Sequence, residues 1–168
     1  MATGVQGSAA SGQKRSASNP VEARALPATD FASQTSSGGV VRRATPDGLY
    51  ELLVRLRSEY DVPPVYITEN GAAFPDERRN GLVDDSQRVS YLERHLDAVS
   101  RALAVGVPVE GYFVWSLLDN FEWSLGYSER FGIVYVDFET LERVPKASYA
   151  WYRDFIARRS RASRRTRQ

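Results

Sequence analysis

Residues 65–71 read Val-Tyr-Ile-Thr-Glu-Asn-Gly, a short apolar and β-branched run that ends abruptly at Glu69. A second run, residues 109–115, reads Val-Glu-Gly-Tyr-Phe-Val-Trp. Neither run alternates regularly between apolar and polar residues, which is typical of strands covered on both faces in a parallel sheet. The two runs therefore predict two buried strands.

Helical patterns surround these strands. Thr45-Pro46-Asp47 has the hydroxyl, the proline and the acid that favour a helix start. Apolar residues at helical spacing predict one helix after it and a second over 86–104. Their predicted buried faces consist of Leu49, Leu52, Leu53, Leu56 and Tyr60 in the first and Val89, Leu92, Leu96, Val99 and Leu103 in the second. A third strand over 133–138 and a short helix over 146–156 complete a βα pattern, which indicates an α/β fold with a parallel sheet.

The chain divides into three segments of unlike composition. Residues 1–43 are rich in Ser, Ala and Gly with one aromatic residue, and residues 157–168 contain six Arg and no acid. All three Trp and all nine Tyr lie between them. We expect a folded segment over 44–156 and disordered tails over 1–43 and 157–168.

Composition excludes several classes of protein. The absence of Cys excludes disulfides and thiolate metal sites, and a single His removes the usual ligand of many others, so we expect no metal and no cofactor. No apolar run approaches the ~20 residues of a membrane span. No apolar signal segment follows the first Met, and the expected location is cytoplasmic. The Arg-rich end lacks interleaved aromatic residues, which argues against nucleic-acid binding.

Polar and aromatic residues follow both predicted strands. Glu69 ends the first, Trp115 ends the second, and Asp119, Glu122 and Trp123 follow in the next loop. Carboxylates and indole rings at one sheet edge are typical of sugar sites, where two carboxylates can perform glycoside hydrolysis. Other interpretations stay open. Asn-Gly is also a hairpin signal, and the Trp residues are also suited to a core. The loop acids are also suited to solvent or helix caps, and His95 to packing or to the surface.

The same residues form two long motifs. Residues 65–71 and residues 111–123, Gly-Tyr-Phe-Val-Trp-Ser-Leu-Leu-Asp-Asn-Phe-Glu-Trp, resemble the signatures of glycoside hydrolase family 1, the β-glucosidases. The resemblance continues from about residue 46 to about residue 156, including Lys146 and Ser148. It implies the C-terminal portion, the last two βα units, of a (β/α)₈ TIM barrel that hydrolyses β-glucosides with retention.

The resemblance also implies roles for individual residues. Glu69 resembles the catalytic nucleophile and Trp115 the platform under the sugar ring. Glu122 resembles the ligand of the 4- and 6-hydroxyls, Trp123 that of the 3-hydroxyl, and Phe131 the aromatic residue beside the 6-hydroxyl. The implied partner is a β-glucoside or a small oligosaccharide.

The chain departs from the family pattern in two ways. The family's acid/base lies in an Asn-Glu-Pro motif, which does not occur in these 168 residues, and residues 1–43 show no resemblance. About 113 family-like residues are also few for a barrel of ~250. We therefore expect a C-terminal fragment of a β-glucosidase, with a catalytically inactive remnant that binds sugar weakly as the alternative. Exposed barrel edges predict self-association.

Overall fold

The computed structural model describes residues 45–165. Along the chain, the helices and strands are α1 Pro46–Glu59, β1 Val65–Asn70, β2 Arg78–Arg79, β3 Leu82–Val83, α2 Ser86–Ala104, β4 Val109–Val114, a 3₁₀ turn Trp123–Leu125, β5 Val134–Val136, β6 Arg143–Pro145 and α3 Ala147–Arg165. The boundaries of α2 are those expected from the sequence. The predicted tail over 1–43 lies outside the described residues.

A parallel pair of strands forms the centre of the fold. β1 and β4 are hydrogen-bonded neighbours in parallel orientation, with Val65 opposite Val109 and Asn70 opposite Val114. Because parallel strands need a crossover connection, α2 lies between them in the chain. The predicted parallel βα units are confirmed.

Helices α1 and α2 cover one face of this pair. Thr45 caps α1 by accepting a hydrogen bond from the Gly48 amide at 3.1 Å, and Pro46 occupies the first helical position. The core between these helices and the sheet consists of Leu53, Val99, Ala102 and Val107. The predicted buried face of α1 is only partly right, because Leu52 and Tyr60 lie outside this contact and are exposed.

A second core lies between α2, α3 and the segments that follow the strands. It consists of Tyr91, Leu92, Ile133 and Val134, with Trp151 and Tyr152 of α3 packed against it. The core interpretation is therefore right for Trp151. This cluster holds α3 beside the end of the sheet at which β1 and β4 terminate.

The strand predicted over 133–138 does not join the parallel sheet. β5 instead pairs antiparallel with β6, opposite residues 143–145. The turn between them is closed by Asp137, whose carboxylate accepts hydrogen bonds from the amides of Glu139 and Thr140, both at 3.0 Å. β6 has three residues, one of them Pro145, and is too short to produce a strand pattern in the sequence.

The last helix is longer than predicted. The sequence pattern predicts a helix end near residue 156 and a disordered tail over 157–168, whereas α3 continues to Arg165. This difference follows from composition, because residues 157–165 contain only Ala, Arg and Ser, with no Gly or Pro to end a helix. The prediction of a disordered tail, which was based on charge density, is therefore wrong for residues 157–165.

One face of the β1–β4 pair is open within the described residues. Tyr66 is 54% exposed and Phe113 is 57% exposed, on the face opposite the helices. The prediction that both strands are buried on both faces is therefore wrong within residues 45–165. The apolar sequence is typical of strands covered on both faces, but α1 and α2 cover only one face.

None of the helices in the described residues has the length and apolarity that crossing a membrane requires.

Replacement of a core leucine tests this packing. Leu92 has no exposed surface, so Leu92→Ala is expected to lower the free energy of unfolding by about 2–5 kcal/mol. Urea denaturation followed by circular dichroism at one fixed chain concentration measures the change. Leu103→Ala on the same helix is the control, because Leu103 is partly exposed and its loss should matter much less. Equal effects of the two variants would contradict the core assignment.

Candidate active site

The two parallel strands end at the same edge, where the predicted site residues lie. Glu69 is the penultimate residue of β1, and Trp115 follows the last residue of β4. The Trp115 amide donates a hydrogen bond to the Asn70 carbonyl at 3.0 Å. The alternative of an isolated Asn-Gly turn is wrong, because Glu69 and Asn70 belong to the strand.

The strand pairing is irregular where Glu69 lies. Ile67 is opposite Tyr112 and Asn70 is opposite Val114, so β1 advances three residues where β4 advances two. Thr68 and Glu69 are exposed in succession, which breaks the alternation of the strand. This is a β-bulge, a feature that re-aims side chains and occurs frequently next to active sites.

Gly71 is required by the close approach of the two chains after the bulge. A Cβ atom at this position would collide with the carbonyl group of Trp115. Any side chain here would push the ends of β1 and β4 apart, which explains why the stretch ends in glycine.

Asn70 is a buried polar residue behind the site. Its side-chain carbonyl accepts a hydrogen bond from the Tyr112 hydroxyl at 2.7 Å. Burial raises the pKa of Tyr112. Burial also raises the pKa of Tyr91 to about 12, although the neighbouring Asn70 side chain acts to lower it. Both phenols therefore stay protonated at neutral pH.

The loop after β4 returns to the strand end before β5. The Ser116 amide donates to the Phe131 carbonyl at 3.2 Å, and the Ile133 amide donates to the Ser116 carbonyl at 2.9 Å. These bonds place Phe131 beside Trp115. Its side chain is buried, so it offers little surface to a ligand.

Glu122 and Trp123 lie farther along this loop. The Glu122 amide donates to the Gly126 carbonyl at 2.7 Å, which closes the short turn. The Glu122 side chain is half-buried, whereas Trp123 is 84% exposed. The strand pairing thus brings Glu69 and Trp115 to one edge, and Trp123 stands out into solvent from the loop.

A buried cation joins the loops that follow the two strands. The Lys146 ammonium donates to Asp76 Oδ2 at 2.5 Å and to Asp119 Oδ1 at 2.8 Å. Asp76 follows β1, Asp119 follows β4, and Lys146 lies just before α3. Arg130 donates to the other oxygen of Asp119 at 2.7 Å. The open alternative that Asp119 is a solvated loop acid or a helix cap is therefore wrong.

Arg88 of α2 extends this cluster. Its guanidinium donates to Asp76, to Asp85 and, at 2.7 Å, to the carbonyl of Arg130. Asp85 in turn accepts a hydrogen bond from the Ser148 amide at 2.7 Å. We call Asp76, Asp85, Arg88, Asp119, Arg130 and Lys146 the ion cluster.

Sequence reasoning missed the ion cluster as a unit. Its members are separated by up to 70 residues, so no local pattern connects them. The resemblance included Lys146 and Ser148 without a role for either residue. The available sequence signal for the cluster was a lysine and a serine, Lys146 and Ser148, at the start of a helix.

His95 packs behind the site, which agrees with the packing alternative for this residue. Its ring stacks on Tyr91 with centroids 3.9 Å apart, and Nδ1 contacts the Tyr91 carbonyl at 2.8 Å. A carbonyl only accepts, so Nδ1 carries a proton in this contact. Nε2 is buried without a partner among the described residues. Burial lowers the pKa of His95, although the Tyr91 carbonyl acts against this effect.

Comparison with known proteins identifies what this arrangement is similar to. The family model for glycosyl hydrolase family 1 matches residues 5–161. This match begins well before residue 44, the predicted start of the family-like segment.

Individual relatives match a shorter stretch. The chain is 56% identical over 117 residues to a bifunctional β-D-glucosidase/β-D-fucosidase of Bifidobacterium breve, and 53% identical over 112 residues to β-glucosidase A of Thermotoga maritima. These alignments cover 67% and 66% of this chain. The chain spans about a quarter of the length of the curated relatives it matches, 25% in both cases.

Solved structures agree with this result. The β-glucosidase of Thermotoga maritima in complex with glucoimidazole matches with a TM-score of 0.66 and 52% identity. The same figures hold for its complex with deoxynojirimycin. Each match covers 67% of this chain and 26% of the other. These relatives are TIM barrels, and the present chain corresponds to one part of that fold.

Removal of the central cation tests the ion cluster. Lys146→Met leaves two buried carboxylates without their shared partner, and we expect a loss of about 3–5 kcal/mol in the free energy of unfolding. Urea denaturation measures it. Glu142→Gln, which breaks the exposed pair with Arg78, is the control and should have a much smaller effect. A Lys146→Met protein as stable as the unmodified chain would contradict the role of the cluster.

Acid sensitivity tests the environment of His95. Because its pKa is lowered in the folded state, the unfolded chain binds a proton below about pH 6.5 that the folded chain does not. Stability is therefore expected to fall between pH 7 and pH 5.5, and His95→Phe should reduce this fall. Denaturation at both pH values measures it, and His95 is the chain's single His. An unchanged pH dependence in the variant would refute this interpretation.

Proposed function

Because the chain belongs to glycosyl hydrolase family 1, we propose that it supplies the nucleophile and part of the sugar-binding surface of a retaining β-glucosidase. The observation that carries this proposal is the parallel pairing of β1 and β4. It supports the assignment of Glu69 and Trp115 to one site, since both lie where these neighbouring strands end.

The residues have distinct roles in the proposed reaction. A Glu69 carboxylate oxygen attacks the anomeric carbon, and the leaving-group oxygen departs with the bonding electrons, which gives a glycosyl-enzyme intermediate. The half-buried indole of Trp115 carries the apolar face of the pyranose. Glu122 accepts hydrogen bonds from sugar hydroxyls and the indole N–H of Trp123 donates one, whereas the buried Phe131 offers little surface to the sugar.

The motif that carries the family's general acid does not occur in these 168 residues. Departure of an ordinary leaving group needs a general acid, and the family motif for that group, Asn-Glu-Pro, is absent from the sequence. We propose that the isolated chain is catalytically inactive toward unactivated glycosides and binds sugar weakly at most. This favours the remnant alternative for the chain by itself.

The proposed glycone is glucose-like. The relatives are named as a β-glucosidase and as a bifunctional β-D-glucosidase/β-D-fucosidase. One of them was solved with glucoimidazole and with deoxynojirimycin. These names support a β-glucoside or small oligosaccharide as the substrate.

Self-association is the second part of the proposal. Tyr66 and Phe113 are exposed on the open face of the sheet. Unpaired strand edges and exposed apolar surface favour contacts between chains. The open face is therefore proposed to pair with a second copy in the isolated chain.

Turnover and trapping test the proposed chemistry. Without the general acid, a contribution of about 10²–10⁴-fold to the rate is lost, so purified chain is expected not to hydrolyse cellobiose. Slow covalent labelling of Glu69 by an activated aryl β-glucoside, measured by peptide mass spectrometry, is expected, because such a leaving group needs little protonation. Glu69→Gln is the matched control and should abolish labelling. Robust cellobiose hydrolysis that depends on Glu69 would contradict the proposal.

Sedimentation tests the proposed self-association. Phe113→Ser removes an exposed aromatic ring from the open face and is expected to shift the chain toward monomer at equal concentration. Leu82→Ser is the control, because Leu82 is 72% exposed but belongs to the β2–β3 hairpin. A fully monomeric unmodified chain would rule out the association.

A further inference from the structure

A hydrogen bond joins the two strands at the bulge that contains Glu69. From it we infer that Asn70 and Tyr112 are positioning residues for the Glu69 carboxylate. This inference rests on the proposed role of Glu69. It concerns how a carboxylate in an irregular, exposed stretch of strand keeps one orientation.

The bulge has one regular pairing on each side. Before it, Ile67 is opposite Tyr112, and after it, Asn70 is opposite Val114. Tyr112 is therefore the last residue of β4 in regular register before the bulge. Its hydroxyl reaches across to the side chain of Asn70 at 2.7 Å. One side-chain bond thus spans the irregular stretch from end to end.

Asn70 is held from its backbone as well. Its carbonyl accepts from the Trp115 amide at 3.0 Å. The residue is only 2% exposed, so water cannot replace a lost partner, and an unpaired side-chain carbonyl there is costly. The strand therefore has one favourable position for Asn70, and Glu69 is its immediate neighbour.

Tyr112 is itself fixed by the core. Its ring packs against the cluster between α1, α2 and the sheet, and its carbonyl accepts a hydrogen bond from the Tyr152 hydroxyl of α3 at 3.2 Å. The position of the hydroxyl is thus set by packing against α1 and α2 and by a hydrogen bond from α3. Through Asn70, this packing is transmitted to the bulge.

The physical consequence concerns the direction of Glu69. Without the bond to Asn70, the bulge can relax toward regular pairing, and a slip of one residue turns a side chain to the opposite face. A nucleophile displaced by about 1 Å loses much of its reactivity. The effect therefore appears in the rate of bond formation at Glu69, with little change in sugar affinity.

Tyr112→Phe is the test variant, because it removes one hydroxyl and keeps the ring. Tyr66→Phe is the matched control, since the Tyr66 hydroxyl also bonds between β1 and β4, to Glu110 at 2.7 Å. This bond lies at a separate register irregularity, between Val65 and Tyr66, and not at the bulge that contains Glu69. The probe is 2,4-dinitrophenyl 2-deoxy-2-fluoro-β-glucoside. A Glu69 oxygen bonds to its anomeric carbon while dinitrophenolate leaves with the electron pair, so no general acid is needed.

Two measurements are made on each full-length variant. Labelling kinetics give a maximal rate and a half-saturating probe concentration, and peptide mapping confirms Glu69 as the labelled residue. Hydrogen exchange reports the protection of the Trp115 amide, whose acceptor is the Asn70 carbonyl. Exchange does not depend on catalysis, which separates this inference from the proposed function.

Tyr112→Phe is expected to lower the maximal labelling rate at least about tenfold, to leave the half-saturating concentration unchanged, and to speed exchange at Trp115. Tyr66→Phe should change none of these.

If the unmodified chain is labelled and Tyr112→Phe is labelled equally fast, the inference is wrong. If the unmodified chain is not labelled, the nucleophile assignment fails. The bulge is then judged by exchange, and equal protection in all three proteins overturns the inference.

Discussion

The parallel hydrogen bonding between β1 and β4 is the constraint on which the rest of the molecule depends. It brings the ends of two strands that are about 45 residues apart in sequence to one edge, with the Trp115 amide on the Asn70 carbonyl. The bulge at Thr68–Glu69, the requirement for Gly71 and the course of the following loops all derive from that contact. A shift of this pairing by one residue would change the face on which Glu69 lies.

The ion cluster serves the same edge by a different kind of interaction. Lys146 is fully buried and contacts one carboxylate from each of the loops that follow the strands. Buried ion pairs contribute little net stability compared with apolar packing, but removal of one partner is costly. We therefore interpret the cluster as a determinant of the arrangement of the loops bearing Asp76 and Asp119. The loop bearing Asp76 follows Glu69 in the chain, and the loop bearing Asp119 leads to Glu122 and Trp123.

Local patterns in the sequence were sufficient for the two strands, for α2 and for the family. Apolar runs and helical spacing are properties of neighbouring residues, and the two motifs are contiguous. The ion cluster and the bulge depend on residues far apart in the chain, which no local pattern connects. The β5–β6 pairing is local, but β6 is too short to produce a strand pattern. The exposure of Tyr66 and Phe113 was missed for another reason. Their sequence is that of a strand covered on both sides, and the described residues provide cover on one.

The central claim is that strand pairing places Glu69 and Trp115 around one sugar-sized space. A crystal structure of the chain soaked with deoxynojirimycin measures this directly. The account predicts parallel β1 and β4, the Glu69 carboxylate and the Trp115 ring within one pyranose ring of each other, and the inhibitor stacked on the indole. Antiparallel strands, or a Glu69 side chain turned toward the helices and away from Trp115, would contradict it.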